Sequence, residues 1–303
     1  MKLIPEKIFA YALMTLGVLA TSSANAKPSA LPVNPQVQTP ATQSVQPKVD
    51  SKAGEIAAEK RKKLAEDALT ALAETNHALK LLDEKKQDEA LKALATVTGK
   101  LELIVARDPK LALAPVDVKV TSKDLIASRD TVKAVTKEAR ELLDDGEIQK
   151  ARPLLSALAS EIVISTTNIP LATYPAAIKE VTPLIDAGKI DEAKKSLQSA
   201  LNTLVITDEV IPLPAVRAEA LIKDAEKLAQ QRNRTPRENE SLSNLLGSAR
   251  NQLNLAQALG YGQKDAFKPM YDQIDKIEKQ SSDGKSGAGW FDTIKRQISE
   301  LIK

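Results

Sequence analysis

One histidine, no cysteine and 40 aspartate plus glutamate residues are what this 303-residue chain offers to chemistry. Without cysteine there are no disulfides, thiolate metal sites, iron–sulfur clusters or cysteine nucleophiles. A site that needs two imidazoles is excluded as well, and any Ser–His catalysis must use His77 itself. His77 stands in ALAETNHALKLLDE, which reads as helix and makes it an ordinary helix-surface or partly buried histidine. Carboxylates are abundant enough for hydrolysis by an acid pair, which needs two of them converging at roughly 5–10 Å. None sits in a recognisable catalytic context. SDGKSGAG, residues 282–289, contains the letters GKS but neither P-loop spacing nor a preceding strand, and reads as a flexible linker. No catalytic, cofactor-binding or metal-ligating residue is assigned, no cofactor is expected, and the chain reads as non-enzymatic.

Residues suited to binding are easier to find. Phe9 and Tyr11 lie near the start and Tyr174 stands alone, but Tyr261, Phe267, Tyr271, Trp290 and Phe291 crowd the C-terminal region. They form either an apolar binding patch for a client or a local core on which the last helices dock. In GWFDTIKRQISELIK the residues Trp290, Phe291, Ile294, Ile298, Leu301 and Ile302 share one helical face. Such a helix docks on a protein body; a second reading lays residues 290–302 weakly on a membrane surface. Nucleic acid is not an expected partner. The net charge is +3, and the KRKK run at 60–63 is interleaved with Glu55, Glu59, Glu66 and Asp67, so no concentrated basic face forms.

The elements that position these residues follow from composition and punctuation. Residues 1–26 have a basic start at Lys2 and Lys7, an apolar middle from Ile8 to Ala20, and Ala24-Asn25-Ala26 before Lys27. This is the pattern of a signal peptide cleaved after Ala26. The apolar run falls short of the roughly 20 residues a spanning helix needs. The mature protein is then exported, and periplasmic in a Gram-negative host. Residues 27–53 carry Pro28, Pro32, Pro35, Pro40 and Pro47 among polar residues and read as a disordered linker. From Gly54 onward Ala, Leu, Glu and Lys dominate, which marks residues 54–303 as one helical domain.

Within that domain LLDDGEIQKARPLL (142–155) aligns with LIDAGKIDEAKKSL (184–197) at an offset of 42, and the frame continues from IVISTTNIPL to LVITDEVIPL. The repeat thus pairs 142–171 with 184–213. Gly146 and Gly188 suit the left-handed position just past a helix end, and Pro170 and Pro212 mark short extended breaks. In the weaker copy LLDEKKQDEALKAL (81–94), Lys85 replaces the glycine, so a continuing helix or a different turn is expected there. The turns read as folding hardware built into αα-hairpins. They resemble tetratricopeptide hairpins, but spacings of 61 and 42 do not make a regular array. The fold class is all-α: an irregular bundle of about ten helices. The expected spans are 54–84, 87–106, 122–145, 147–165, 174–187, 189–205, 214–232, 236–259, 264–281 and 290–302, with 111–121 a loop.

The hairpin A-x-x-L-I-D-x-G-K-x-x-E-A, the Pro-Leu break, VRAEALIKDAEKLAQ, AQALGYG (256–262) and the Trp-Phe helix together resemble the YfdX family of exported bacterial proteins over residues 55–303. The resemblance implies an all-helical exported domain with no established catalytic role, associated with envelope stress, acid tolerance and drug susceptibility. It supplies no functional residues. The expected function is a stress-related periplasmic binding protein with a chaperone-like (holdase) role, taking other proteins or small apolar ligands as partners. A static scaffold that recognises one partner through its hairpins is the alternative, and an exported carboxylate hydrolase the third reading.

Overall fold

The computed structural model describes residues 38–302. The expected signal peptide and residues 27–37 of the expected linker lie outside the described residues.

The chain is mainly helical, as the periodicity requires, and it also contains a small sheet. α1 spans Pro40–Lys62, α2 Glu66–Asp83 and α3 Gln87–Arg107. β1 (Leu113–Lys123) follows, then α4 (Arg129–Asp144), α5 (Ile148–Ala157) and β2 (Glu161–Pro170). Next come α6 (Tyr174–Lys179), α7 (Val181–Asp186), α8 (Ile190–Leu201) and β3 (Val205–Pro212). α9 (Leu213–Gln230), α10 (Pro236–Ala258), α11 (Lys264–Ser281) and α12 (Asp292–Ile302) complete the chain.

Three corrections to the expected elements share one cause: packing between distant segments outweighs local signals. The supposed loop 111–121 contains most of β1, and the ends of two expected helices, 147–165 and 189–205, run into β2 and β3. These strands form an antiparallel sheet in the order β1-β2-β3. IVISTTNI is rich in β-branched residues, which suit a pleated half-buried surface better than a helix. The expected linker is helical from Pro40. Thr39 caps α1 by accepting the Thr42 N–H at 3.1 Å, proline at N1 needs no donor, and Val45 and Val49 are buried. Pro47 removes one backbone bond from the helix interior. The burial of Val45 and Val49, worth roughly 1.5–3 kcal/mol per fully buried aliphatic side chain, offsets that loss. The third correction is at Lys85. It turns the chain at φ 61°, in the left-handed region that a lysine enters at a cost.

That turn has the same hydrogen bonds as its glycine counterparts. Lys86 N–H reaches Leu81 C=O at 2.9 Å, Glu147 N–H reaches Leu142 C=O at 2.7 Å and Lys189 N–H reaches Leu184 C=O at 2.8 Å. Gly146 and Gly188 sit at φ 74° and 72°. Each turn satisfies carbonyls that the helix end would otherwise leave open.

The sheet separates two apolar cores. On one side α1, α9, α10, α11 and α12 enclose Val118, Ile162, Ile164 and Ile211. On the other α2, α3, α6, α7 and α8 pack with Ala114, Val116 and Ile169. One stretch of the sheet surface is left open by both cores: Asp117, Lys119, Ile206, Asp208 and Val210 are exposed, with Val163 half-buried beside Val210. Among the described residues no helix is long and apolar enough to cross a membrane.

Candidate functional site

Two buried guanidiniums, Arg217 and Arg234, serve the helices of the first core, and Arg217 is the deeper. Arg217 lies on α9 in the run Ala215–Ala218, every member of which is buried, and it is only 1% exposed. An unpaired guanidinium there would cost several kcal/mol. Its Nη1 and Nη2 instead donate to the two oxygens of Asp124 at 2.8 and 2.7 Å, and Nε and Nη2 donate to Gln46 Oε1 at 3.2 and 2.9 Å. Asp124 follows β1 and Gln46 sits on α1, so one side chain ties three elements together.

The network extends further. Ser160 Oγ donates to Asp124 at 3.2 Å, and Ser160 N–H donates to the Tyr261 hydroxyl at 3.0 Å. Tyr261 in turn donates to Glu161 Oε2 at 2.7 Å. Burial pushes the Asp124 carboxyl up, but hydrogen bonds and charge from Arg217, helped by Ser160, outweigh it and leave the group below the usual carboxylate range. Burial, reinforced by Glu161, raises the Tyr261 phenol. Asp124 therefore stays ionised near neutrality and Tyr261 protonated, which suits a permanent brace.

A cavity of about 250 Å³ adjoins this brace, lined by Arg217, Thr39, Ser128, Arg129 and Gln252 among others. Its walls mix polar groups with Leu125, Ile126, Ala127 and Leu255, and the side-chain oxygen of Gln252 is buried without a hydrogen-bond partner. A shallower groove of about 500 Å³ runs between α1 and α9, where Lys48 pairs with Asp224 and Lys52 with Glu219. No hydroxyl lining either space is hydrogen-bonded, among the described residues, to a carboxylate, lysine or histidine: Thr39 and Thr42 bond each other, Thr39 bonds Ser248, and Ser128 bonds Thr131. Among the described residues no three His, Cys, Asp or Glu side chains converge as metal ligands would.

The five aromatics gather in the first core, not on an open surface. Phe267 and Phe291 are 0% and 1% exposed, which removes them from the expected binding patch. Tyr261, Tyr271 and Trp290 are half-buried against the same core. Phe267 and Tyr271 stack at 6.5 Å, and the Arg250 guanidinium lies 5.9 Å from the Tyr271 ring centre. Ile294, Ile298 and Ile302 are buried where α12 packs on α9 and α11, so the face a membrane surface would need is already occupied. Lys295 anchors the same helix to Glu226 at 2.7 Å.

Gly146 and Gly188 occupy the hairpin corners, and Pro170 and Pro212 end β2 and β3. His77 is on the surface of α2 beside Glu74, at 3.3 Å. The segment 282–289 is pinned: Arg234 donates to Ser281 C=O at 3.1 Å and Lys285 C=O at 2.8 Å, and to the Ala229 and Gln231 carbonyls at 3.1 Å each. A guanidinium thus holds the C-terminal ends of α9 and α11, where carbonyl dipoles favour a cation.

Sequence reasoning missed Arg217, Asp124 and Arg234. One signal could have found the first: LPAVRAEALI is apolar on nearly every helical face around a single arginine, a pattern that calls for a buried partner.

Residues 71–210 match the family model described as YfdX protein. The match covers most of the second core and of the sheet, and the α4–α5 hairpin, and shows there the family resemblance seen in the sequence. It includes part of the 180–230 region but not AQALGYG at 256–262. The chain is also similar to a solved structure of Salmonella Typhi YfdX. The two are 15% identical, the TM-score is 0.34, and the alignment covers 50% of this chain and 93% of that chain. No curated protein matches.

Proposed function

We propose, from the YfdX family match over residues 71–210, that this chain is a non-enzymatic binding protein, exported to the periplasm, that holds exposed apolar segments of other proteins during envelope stress. The observation that carries the reading is the open stretch of the sheet surface. Ile206 and Val210 are 65% and 45% exposed on β3, and β3 is an edge strand with one side unpaired in the sheet. An edge bearing aliphatic side chains attracts another extended segment through backbone hydrogen bonds and side-chain burial. Asp208 between them and Lys119 on β1 keep the surface mixed, which limits self-association.

The test is thermal aggregation of an unrelated client protein at neutral and acid pH. Suppression at equimolar chain, weakened by Ile206→Asp with Val210→Asp while thermal stability is retained, is the expected result. No suppression at either pH removes the reading. A second reading, a module with one dedicated partner, is favoured by the exposed face of α5. Cross-linking in the periplasm would then yield one dominant product instead of many.

A further inference from the structure

Two hairpins of this chain share a turn but differ in what covers them. In the α7–α8 hairpin, Ile185 and Leu197 are 2% and 0% exposed, and Ile190 is half-buried. α8 packs there against α2, whose face carries Ala68, Ala71, Ala78 and Leu82, and Lys194 pairs with Asp83 at the end of α2. Residues forty-two positions earlier in the α4–α5 hairpin have the same character. Leu143, Ile148 and Leu155 stand in for Ile185, Ile190 and Leu197, and Arg152 stands in for Lys194. Here no helix among the described residues packs over them to the same extent. Leu143, Ile148 and Leu155 are 42%, 60% and 47% exposed, and α5 packs mainly on α4. Ile148, Arg152 and Leu155 follow one another at four- and three-residue spacing and so share a face. Arg152 makes no ion pair with a carboxylate among the described residues.

We propose that the Ile148–Arg152–Leu155 face of α5 docks a helix of a partner protein, one with an alanine-and-leucine face and a carboxylate that meets Arg152. Three features argue for this occupant. The apolar residues recur at positions that are buried or half-buried on α8, a helix that packs on α2 and is tied to it through Lys194 and Asp83, so a helix of α2's character fits. The cation between them selects an acidic residue, as Lys194 does with Asp83. The small Ala151, fully buried like Ala193, lets the two helices of each hairpin approach and leaves the outer face to receive a third. The proposal rests on the reading that the chain binds proteins, but not on aggregation suppression.

The probe is a labelled peptide of residues 66–84 of this chain, the α2 sequence itself, titrated against the full chain by fluorescence anisotropy. Saturable binding is expected, weakened at least about tenfold by Ile148→Ser with Leu155→Ser. Arg152→Glu should weaken it similarly, and a peptide carrying Asp83→Lys should recover binding to that variant. All the altered side chains are exposed, so the variants should keep the parent's melting curve, which is checked by circular dichroism. Binding weaker than millimolar, or binding that none of these changes alters, overturns the proposal; the latter means the peptide displaces α2 from α8. Sedimentation of the free chain completes the test. A dimer that Ile148→Ser with Leu155→Ser converts to monomer would assign the face to a second copy and also overturn it. Client protection that persists in the double variant leaves the holdase reading intact, so the two ideas fail separately.

Discussion

Arg217 and Asp124, 93 residues apart, close a two-pronged ion pair at 2.8 and 2.7 Å in which the guanidinium side chain is 2% exposed and the carboxylate 35%. One partner is immersed in the core and the other reaches water, so the pair faces in two directions. It connects the end of β1 to α9 and, through Gln46, to α1.

Removing the carboxylate strands a buried cation. Asp124→Ala should destabilise the chain by about 3 kcal/mol, the low end of the range for a broken buried pair, because Asp124 keeps a third of its surface in water. Arg217→Met, which replaces the charge with an apolar chain, should cost less. Urea denaturation of the two single variants and the double variant measures the coupling; additive losses would show that the pair does not brace the fold.

Acid should loosen the same elements. Desolvation pushes the Asp124 and Glu219 carboxyls up, but Arg217 in one case and Lys223 with Lys52 in the other outweigh it, so both titrate below their ordinary values. Their folded-state values lie below those of the unfolded chain. Their contribution is therefore full above about pH 5 and is lost as pH falls through the depressed values. The urea midpoint should hold between pH 7 and 5 and drop below pH 4, and Asp124→Asn should flatten that drop. An unchanged slope in the variant would assign the acid sensitivity elsewhere.

The three hairpin corners differ in residue but not in geometry, which predicts opposite effects. Gly188→Ala places a β-carbon at φ 72° and should cost about 1 kcal/mol. Lys85→Gly removes one at φ 61° and should stabilise by a similar or smaller amount. Chemical denaturation of both variants would show whether the signs differ.

α10 begins with a reciprocal cap. Thr235 N–H donates to Glu238 Oε2 at 2.7 Å, and Glu238 N–H donates to Thr235 Oγ1 at 3.3 Å. Thr235→Ala should lower stability by about 1 kcal/mol, read from thermal or denaturant unfolding.

The last helix is part of the core. Ile298 is 0% exposed, and Ile298→Asp would bury a charge without a partner, at a cost of 3 kcal/mol or more. The intact chain should not co-sediment with liposomes through residues 290–302, because Ile294, Ile298 and Ile302 already face α9 and α11. Pelleting that is lost on removing residues 289–303 while the remainder stays folded would reverse this expectation.

Local chemistry alone was enough for much of the helical frame. Thr235-Pro236-Arg237-Glu238 announces α10, Gly146 and Gly188 announce the hairpin corners, and the Gln87–Arg107 helix follows from its apolar spacing, because each depends on contacts within a few residues. The sheet did not follow from such contacts. Val163 becomes strand because Val210 and Thr121 lie on either side of it, forty or more residues away. α1 likewise survives Pro47 because Val45 and Val49 meet a distant core, and Lys85 accepts a strained turn because the helices on both sides are packed. The aromatic cluster and Arg217 make the same point about sites. Residue type announced a place worth examining, but whether Phe267 or Ile148 is open to a partner depends on which helix comes to lie over it, and that is settled only when segments far apart in the chain compete for the same apolar surface.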